Sequence, residues 1–457
     1  MDQEKTTTEN QNLGTADLKR VLGFGDLMSM ACGQIIGAGI MALVGVGIAY
    51  TGRSVNLAFM IAALLTIMMA IPMVFIGGTL RLRGGNYTIL ASLMGKIWAG
   101  AYIPIYVLGN ISISIYSISF ATYFIGLTGL AIDPILVASV CMTTFYILNI
   151  FGIQGAAFLQ NAMVVILAAA LVAFMAFGVG KVNWNGAFGG DANWMTGGLN
   201  GLFMASVTLT YATGGATVIL NFGAEAKNPT KDVPIIIIVS TLAIAAVYAV
   251  MSTVAAGVLP VSEVAGKSLL LVAKEIFPAG VYEFFIIGGA MFALTTTLNA
   301  TLGHVTKPIL QACMDGWIPK KFGYIHHKYK TPVVLLTLFY VVGMVPILFN
   351  ISLSQITALV QILSKFFTAM LAISIINLPK AVPELWAKAR VHCSTGMLWF
   401  VALLGAGSQL FQFIVLASNQ PAYIWIGNLC MVSASFVYAY LMNKAGKVHM
   451  EVSYEAA

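Results

Sequence analysis

The sequence contains few charged residues. Asp, Glu, Lys and Arg make up 9% of its 457 residues, whereas soluble globular proteins carry roughly 25%. So little charge cannot cover a surface that faces water on all sides, which excludes a soluble enzyme. Apolar residues make up 59% of the chain and fall in long runs, for example residues 55–76 and 235–258. Runs of about 18 or more apolar residues predict membrane-spanning helices.

Signatures of several other protein classes are also missing. The 5 cysteines are scattered through spans and loops, so we predict neither a disulfide framework nor a disulfide-linked subunit. No Gly-x-x-x-x-Gly-Lys-Ser/Thr loop is present, which argues against an ATP-driven pump. Clustered His, Asp or Glu for acid–base or metal chemistry is also missing, so we expect no enzyme activity, cofactor or metal. The net charge of +7 lies in loops, which favours a bilayer over nucleic acid as the partner.

The apolar runs predict an all-α polytopic membrane protein with twelve transmembrane helices. The predicted spans begin near Phe24, Leu57, Ile97, Pro134, Ala157, Gly198, Val233, Tyr282, Pro332, Ile356, Gly396 and Tyr423. Most of the basic residues fall in loops on the side of the N-terminus, and only Arg53, Lys181, Lys267 and Lys274 fall on the other. This bias predicts a protein of the cytoplasmic membrane with both termini in the cytoplasm. The polar start of the chain is therefore interpreted as a cytosolic tail.

Two of the spans contain glycines that predict a broken helix. Span 1 carries Gly33, Gly37 and Gly39, and span 6 carries Gly214 and Gly215. Glycine is a poor helix former, and unwound backbone within a bilayer must face protein or a wet cavity. Paired interruptions in corresponding spans indicate a transporter binding site. The alternative is that these glycines only allow helices to pack closely.

The broken ends predict a receptor for an amino acid. A half-helix that starts near Gly39 presents free N–H groups, which suit a carboxylate. A half-helix that ends near residues 211–213 presents free carbonyl groups, which suit an ammonium group.

Five motifs occur in a consistent order along the chain. They are Gly33 to Met41; Gly84 to Tyr87 after Arg81 and Arg83; Asn149 to Gly152 with Gln160; Glu225 to Pro234; and Asn299–Ala300 followed by Asp315 to Pro319. Together they resemble the amino acid–polyamine–organocation superfamily, specifically its bacterial amino acid permeases.

The resemblance implies a five-plus-five inverted-repeat core with discontinuous helices 1 and 6, two further helices, and alternating access. The implied divisions are a tail at 1–23, a first repeat at 24–178, an extracellular loop at 179–197, a second repeat at 198–378, spans 11 and 12 at 379–443, and a tail at 444–457. The substrate carboxylate would meet the backbone of Ile36, Gly37, Ala38 and Gly39, and the amine would meet Tyr211, Ala212, Gly214 and Gly215. Asn110 would line the side-chain pocket.

Two departures from the family pattern bear on the substrate. Where relatives often have an aromatic and an acidic residue, this chain has Ala216 and Thr217, unless the alignment is shifted by one or two residues. Ala216 would leave room for a bulky substrate, and Thr217 would not pair with a cation. Because no Asp or Glu lies at mid-span, we predict transport of neutral L-amino acids with a large apolar or aromatic side chain. The alternatives are transport of cationic amino acids or polyamines, and a sensor that does not transport.

Symport with a proton or with sodium, or exchange, is left open by the sequence. Span 5 has no basic residue, and Leu167 stands where proton-coupled relatives often have lysine. Lys365 lies inside span 10 and is a candidate for coupling or for substrate contact. The alternatives are a lysine that extends to a membrane face or a misplaced span boundary. Glu225 is a candidate cytoplasmic gate or a solvated helix end, and the hydroxyls at 295–297 would bind sodium or bond to their own helix.

Overall fold

The computed structural model describes residues 18–185, 188–190, 192–351, 353–418, 420–450 and 453–455. Most of the predicted N-terminal tail, and parts of the predicted 179–197 loop and C-terminal tail, lie outside these residues. The α-helices are α1 Phe24–Ile35, α2 Ala38–Thr51, α3 Val55–Thr79, α4 Gly85–Leu93, α5 Lys96–Gly109, α6 Ile113–Thr128, α7 Pro134–Ile150, α8 Ile153–Val179, α9 Gly198–Thr213, α10 Pro229–Gly257, α11 Val261–Val264, α12 Leu270–Ile276, α13 Ala279–Phe284, α14 Phe292–His304, α15 Thr306–Met314, α16 Val333–Leu348, α17 Leu353–Ser374, α18 Leu378–Ala381, α19 Pro383–Ala387, α20 Thr395–Ser418 and α21 Ala422–Lys444. The strands are β1 Arg81–Leu82 and β2 Tyr454–Glu455.

Short segments of other helical types connect several of these helices. The 3₁₀ segments are Asn110–Ser112, Ala216–Phe222, Lys320–Gly323 and Ile375–Asn377, and a π segment, Phe285–Met291, joins α13 to α14.

The fold is a bundle of apolar helices, as the composition predicts. Within the described ranges, 10 helical segments are long and apolar enough to cross a membrane. Two shorter apolar helices, α7 and α16, occupy the predicted fourth and ninth spans. The multi-pass helical architecture is confirmed, whereas the number of twelve spans stays a prediction.

Local sequence signals set several helix ends. At the start of α7 the Asp133 carboxylate accepts a 2.9 Å hydrogen bond from the Ile135 amide, and Pro134 occupies the first turn. Both features are typical of helix N-termini. At the start of α10, Pro229 likewise occupies the first turn, but the Asn228 side chain makes no capping hydrogen bond. At the end of α6, Gly129 adopts a left-handed conformation with φ 63°, as is common after a helix.

The two predicted broken spans lie at the centre of the bundle. Helix α1 packs against α8, α10 and α14, and α2 packs against α9. The outer helices expose large apolar side chains: Phe158 is 79% exposed and Val165 is 69% exposed. A surface of this kind suits a hydrocarbon environment.

Both ends of the described chain meet at one end of the bundle, called here the terminal face. Strand β2 pairs antiparallel with β1, and the Glu455 carboxylate forms ion pairs with Arg20 at 2.7 Å and with Arg83 at 2.6 Å. Partial burial acts to raise the pKa of Glu455, but the hydrogen bond from Arg83 and the nearby arginine charges hold it below its usual value. The C-terminal segment is thus attached to the loop that follows α3.

At the opposite end of the bundle, residues 266–269 lie across α2 and are called here the cover segment. The Gly266 amide donates to the Gly45 carbonyl at 2.7 Å, and the Leu269 amide donates to the Met41 carbonyl at 3.1 Å. The Ser268 and Tyr123 hydroxyls lie 3.3 Å apart. The cover segment therefore ties α2 to α6 and α12 on this face.

Candidate functional site

The first predicted span is interrupted where its glycines predict it. Helix α1 ends at Ile35 and α2 begins at Ala38, while Ile36 (φ −81°, ψ 50°) and Gly37 (φ −88°, ψ −142°) are not helical. A Cβ atom at Gly37 would lie 2.5 Å from the Thr297 hydroxyl oxygen. Glycine therefore allows the broken backbone to touch α14.

Hydroxyl groups of neighbouring helices donate hydrogen bonds to carbonyl oxygens at the broken end of α1. The Thr297 hydroxyl donates to the Gly33 carbonyl at 2.6 Å, and the Tyr248 hydroxyl donates to the Ile35 carbonyl at 3.2 Å. The start of α2 has no side-chain cap. The first N–H groups of a helix have no partner within that helix and carry a partial positive charge. The start of α2 is therefore suited to an anionic group.

The sixth predicted span is interrupted at its adjacent glycines. Helix α9 ends at Thr213, Gly214 is extended, and Gly215 has φ 131° and ψ −27° before the 3₁₀ segment begins. The Gly214 amide donates to the Thr210 carbonyl at 2.9 Å. The last carbonyls of a helix have no partner within it, so this end of α9 carries a partial negative charge.

The two interruptions are in direct contact. A Cβ atom at Gly39 would lie 2.5 Å from the Ala212 Cα atom, and one at Gly215 would lie 3.0 Å from the Gln34 carbonyl oxygen. The positive start of α2 and the negative end of α9 therefore lie side by side.

A first cavity of about 290 Å³ opens beside these ends. It is lined by Gln34, Ile35, Gly37, Gly39, Thr66, Met69, Met73, Asn86, Tyr116, Thr210, Tyr211, Gly214, Gly215, Thr217, Val218, Thr297, Ser364, Lys365, Thr368, Leu371, Gln409 and Gln412. A second cavity of about 300 Å³ adds Tyr102, Ile105, Tyr106, Gly109, Asn110, Ser112, Thr301, His304, Val360, Leu363 and Phe367. The two cavities share several lining residues, among them Tyr116, Tyr211 and Ser364. Each volume is close to the lower end of the range for small-molecule sites, about 300–1,000 Å³.

The structure brings most of the sequence-predicted residues to these cavities. Gly37, Gly39, Tyr211, Gly214, Gly215, Thr217 and Lys365 line the first cavity, and Asn110 lines the second. Ile36, Ala212 and Ala216 are buried and line neither cavity. The Ala38 backbone starts α2, and its side chain lies outside what the structure describes. The role of each residue stays a prediction.

Lys365 extends into the bundle rather than along the surface of α17. Its Nζ donates to Gln412 Oε1 at 2.5 Å and to Thr210 Oγ1 at 3.2 Å. Thr210 is 5% exposed and Gln412 is 1% exposed. The ammonium group therefore lies among buried polar side chains at the wall of the first cavity.

The polar side chains of the predicted second and eleventh spans were not predicted to belong to the site. Thr66 on α3 and both Gln409 and Gln412 on α20 line the first cavity. The two glutamines are three positions apart in an apolar helix and so share one face. Polar residues within spans often face a cavity, so this spacing was the signal that could have identified them.

Glu225 lies apart from both cavities, near the terminal face. Its carboxylate forms a 2.7 Å ion pair with Lys307 on α15, and its backbone carbonyl accepts from the Val21 and Leu22 amides at 2.9 and 3.0 Å. Burial raises the pKa of Glu225 above its usual value, against the opposing effect of the Lys307 charge. Glu225 is thus a buried, paired residue rather than a solvated helix end.

Two of the hydroxyls at 295–297 bond to their own helix. Thr295 donates to Met291 at 3.1 Å and Thr296 donates to Ala293 at 3.0 Å. This is the common arrangement for hydroxyls in membrane helices, and for these two residues it favours the structural alternative over a sodium site. The Thr297 hydroxyl lies 3.0 Å from the Ala293 carbonyl, but its shorter contact, 2.6 Å, is with the Gly33 carbonyl on α1.

Comparison with known proteins identifies the family of the chain. A family model described as "Amino acid permease" matches residues 22–443. The chain is 26% identical to the branched-chain amino acid permease BcaP of Bacillus subtilis (strain 168), over 81% of this chain and 83% of that protein. It is 24% identical to the methylthioribose transporter of the same organism, over 89% and 93% of the two chains. It is also 26% identical to cationic amino acid transporter 4 of Mus musculus, over 76% of this chain and 57% of that protein. The family predicted from the sequence is confirmed, and the chain belongs to the amino acid permease family.

Proposed function

We propose that this protein is a secondary active transporter of neutral L-amino acids with large apolar or aromatic side chains. The observation that supports this most strongly is the pair of interrupted helices, whose oppositely polarised ends lie side by side at one cavity. A zwitterion is the small solute that complements two such ends at once.

In this proposal the backbone around both interruptions binds the head of the amino acid. The Ile36 amide was predicted to bind the carboxylate, but it donates to the Cys32 carbonyl at 2.8 Å. The N–H groups of residues 37–39 therefore bind the carboxylate, and the carbonyls of residues 211–214 bind the ammonium group. Because these groups belong to the backbone, they recognise what all amino acids share.

The second cavity would hold the substrate side chain. Its wall includes the apolar or aromatic residues Tyr102, Ile105, Tyr106, Leu363 and Phe367. Burial of an apolar side chain against such a wall is favourable by about 25 cal/mol per Å². The Asn110 amide donates to the Tyr106 carbonyl at 2.7 Å, so Asn110 would shape this wall.

The charge of the cavities argues against a cationic substrate, although several relatives are named cationic amino acid transporters. Among the described lining residues, neither cavity has Asp or Glu, and the first includes Lys365. A second cation would be repelled and would lack a carboxylate partner.

Alternating access is supported by contacts between corresponding spans of the two proposed repeats. Helix α2 packs against α9, α3 against α10, and α7 against α16. In the proposed orientation the terminal face is cytoplasmic, which follows the positive-inside rule. Glu225 and Lys307 would then form a cytoplasmic gate, because they hold the segment before α1 against α15. Symport and exchange are both compatible with this arrangement.

Transport in proteoliposomes tests the proposal. Purified protein should take up labelled leucine or phenylalanine, and unlabelled neutral amino acids should compete better than arginine, putrescine or methylthioribose. Strong competition by arginine or putrescine alone would reject the neutral-substrate assignment. Binding without any flux, in either symport or exchange mode, would favour a sensor.

A pair of glycine variants separates the site from general packing. Gly37→Ala places a Cβ against Thr297, whereas Gly126→Ala adds one in α6 where no atom lies within 4 Å. We expect loss of uptake for Gly37→Ala and normal uptake for Gly126→Ala. Equal uptake by both variants would contradict a role for the first interruption.

A further inference from the structure

Lys365 places a positive charge at the wall of the first cavity without a negative partner. Arg20, Arg81, Arg83 and Lys307 form ion pairs with carboxylates, whereas Lys365 forms none with the carboxylates that the structure describes. A cation removed from water costs several kcal/mol unless it is paired or solvated. Because Lys365 lines the first cavity, an anion that enters this cavity from solution can reach the ammonium group.

A network of hydrogen bonds holds the lysine in this position. The Ser408 hydroxyl donates to the Leu65 carbonyl at 3.0 Å and accepts from Gln412 Nε2 at 3.2 Å. The Gln412 amide is thereby oriented with its oxygen toward Lys365 Nζ. The ammonium group of Lys365, on α17, is therefore held in position by side chains of α9 and α20.

The lysine retains capacity to bind a further acceptor. An ammonium group has three N–H donors, and the described partners, Thr210 and Gln412, use two of them. Ser364 and Gln409 line the same cavity and have additional hydroxyl and amide donors. One cation surrounded by neutral donors is the complement of an anion.

We propose that Lys365 is the cationic centre of an anion subsite in the first cavity, which binds a small inorganic anion. This proposal does not rest on the proposed function, in which the substrate carboxylate is bound at the start of α2. The subsite is distinct from the start of α2, because it is built from side chains of α9, α17 and α20 rather than from free backbone N–H groups.

Thermal-shift titrations of the purified full-length protein can identify the anion. One arm replaces sodium gluconate, which has a much larger anion, with sodium chloride at constant ionic strength. A second arm replaces sodium gluconate with sodium nitrate in the same way. Each arm is measured for the wild type, for Lys365→Met, and for Lys380→Met, a matched loss of an exposed lysine just beyond α17.

We expect chloride or nitrate to stabilise the wild type more than the larger gluconate does. Lys365→Met should reduce that preference by about 10- to 150-fold, the range for one charge-assisted hydrogen bond. Lys380→Met should leave it unchanged. The arm with the larger effect identifies the preferred anion. No preference in the wild type, or an unchanged preference in both arms of Lys365→Met, would overturn the proposal.

The outcomes for the two proposals can be separated. If no amino acid stabilises the wild type, the proposed function fails, and the chloride and nitrate arms still decide the anion subsite. If Lys365→Met does not fold, Lys365→Arg and Lys365→Gln replace it. The arginine variant should keep the anion preference and the glutamine variant should lose it; equal preferences in both would reject the subsite.

Discussion

The substitution Gly215→Ala tests directly whether the interruption of the sixth span forms part of the binding site. Gly215 has φ 131°, a conformation that residues with a side chain rarely adopt. Holding alanine in such a conformation costs about 1–3 kcal/mol. The new Cβ would also lie 3.0 Å from the Gln34 carbonyl oxygen, so the backbone of the first interruption would have to move.

The expected loss of affinity follows from this strain. If the binding-competent geometry requires the glycine conformation, a cost of about 1–3 kcal/mol weakens ligand binding by about 5- to 150-fold. The dissociation constant for the preferred amino acid, measured by thermal-shift titration, reports this change. A moderate decrease in melting temperature should accompany it.

Gly198→Ala is the matched control for this prediction. Gly198 also has a positive φ, 61°, but a Cβ there would meet no atom within 4 Å, and it lies at the other end of α9. We expect a similar decrease in stability with an unchanged dissociation constant. If both variants bind the amino acid as the wild type does, the interruption is not part of the site.

Two further predictions concern buried polar contacts, one beside the first interruption and one near the terminal face. Thr297→Val leaves the Gly33 carbonyl without its 2.6 Å donor and should destabilise the protein by about 1–3 kcal/mol. Thr296→Val is the control, because it removes only a bond within its own helix. Equal melting temperatures for the two valine variants would contradict this prediction. Glu225→Gln leaves the buried Lys307 without its partner and should cost about 3–5 kcal/mol. In thermal unfolding, the double variant Glu225→Gln/Lys307→Gln should lose less than the sum of the two single losses, and strict additivity would show that the pair is not coupled.

The position of the interruptions could be predicted because its cause is local. Paired or nearby glycines weaken a helix wherever they occur, and the structure interrupts the chain at Ile36–Gly37 and at Gly214–Gly215. The apolar runs likewise require only composition and length to be recognised. The start of α7 could also be predicted from local sequence, because its cap residue Asp133 lies next to it in the chain.

The surroundings of Lys365 could not be predicted, because its partners are distant in the sequence. Thr210 and Gln412 are separated from it by 155 and 47 positions. The ion pair between Glu225 and Lys307 could not be predicted for the same reason, because the two residues are 82 positions apart. Hydropathy shows that a helix is buried, but it does not show which face of that helix contacts which neighbour.

The sequence by itself therefore determined the membrane-spanning helices, the two weak points in them and the family, since each depends on the order of residues along the chain. Only the tertiary structure decided which polar side chains surround the cavity, that the lysine in α17 faces it without a carboxylate, and that Glu225 is buried in an ion pair. The physical reason is that charge balance within a bundle is a property of neighbours in space, which the packing of separate helices creates.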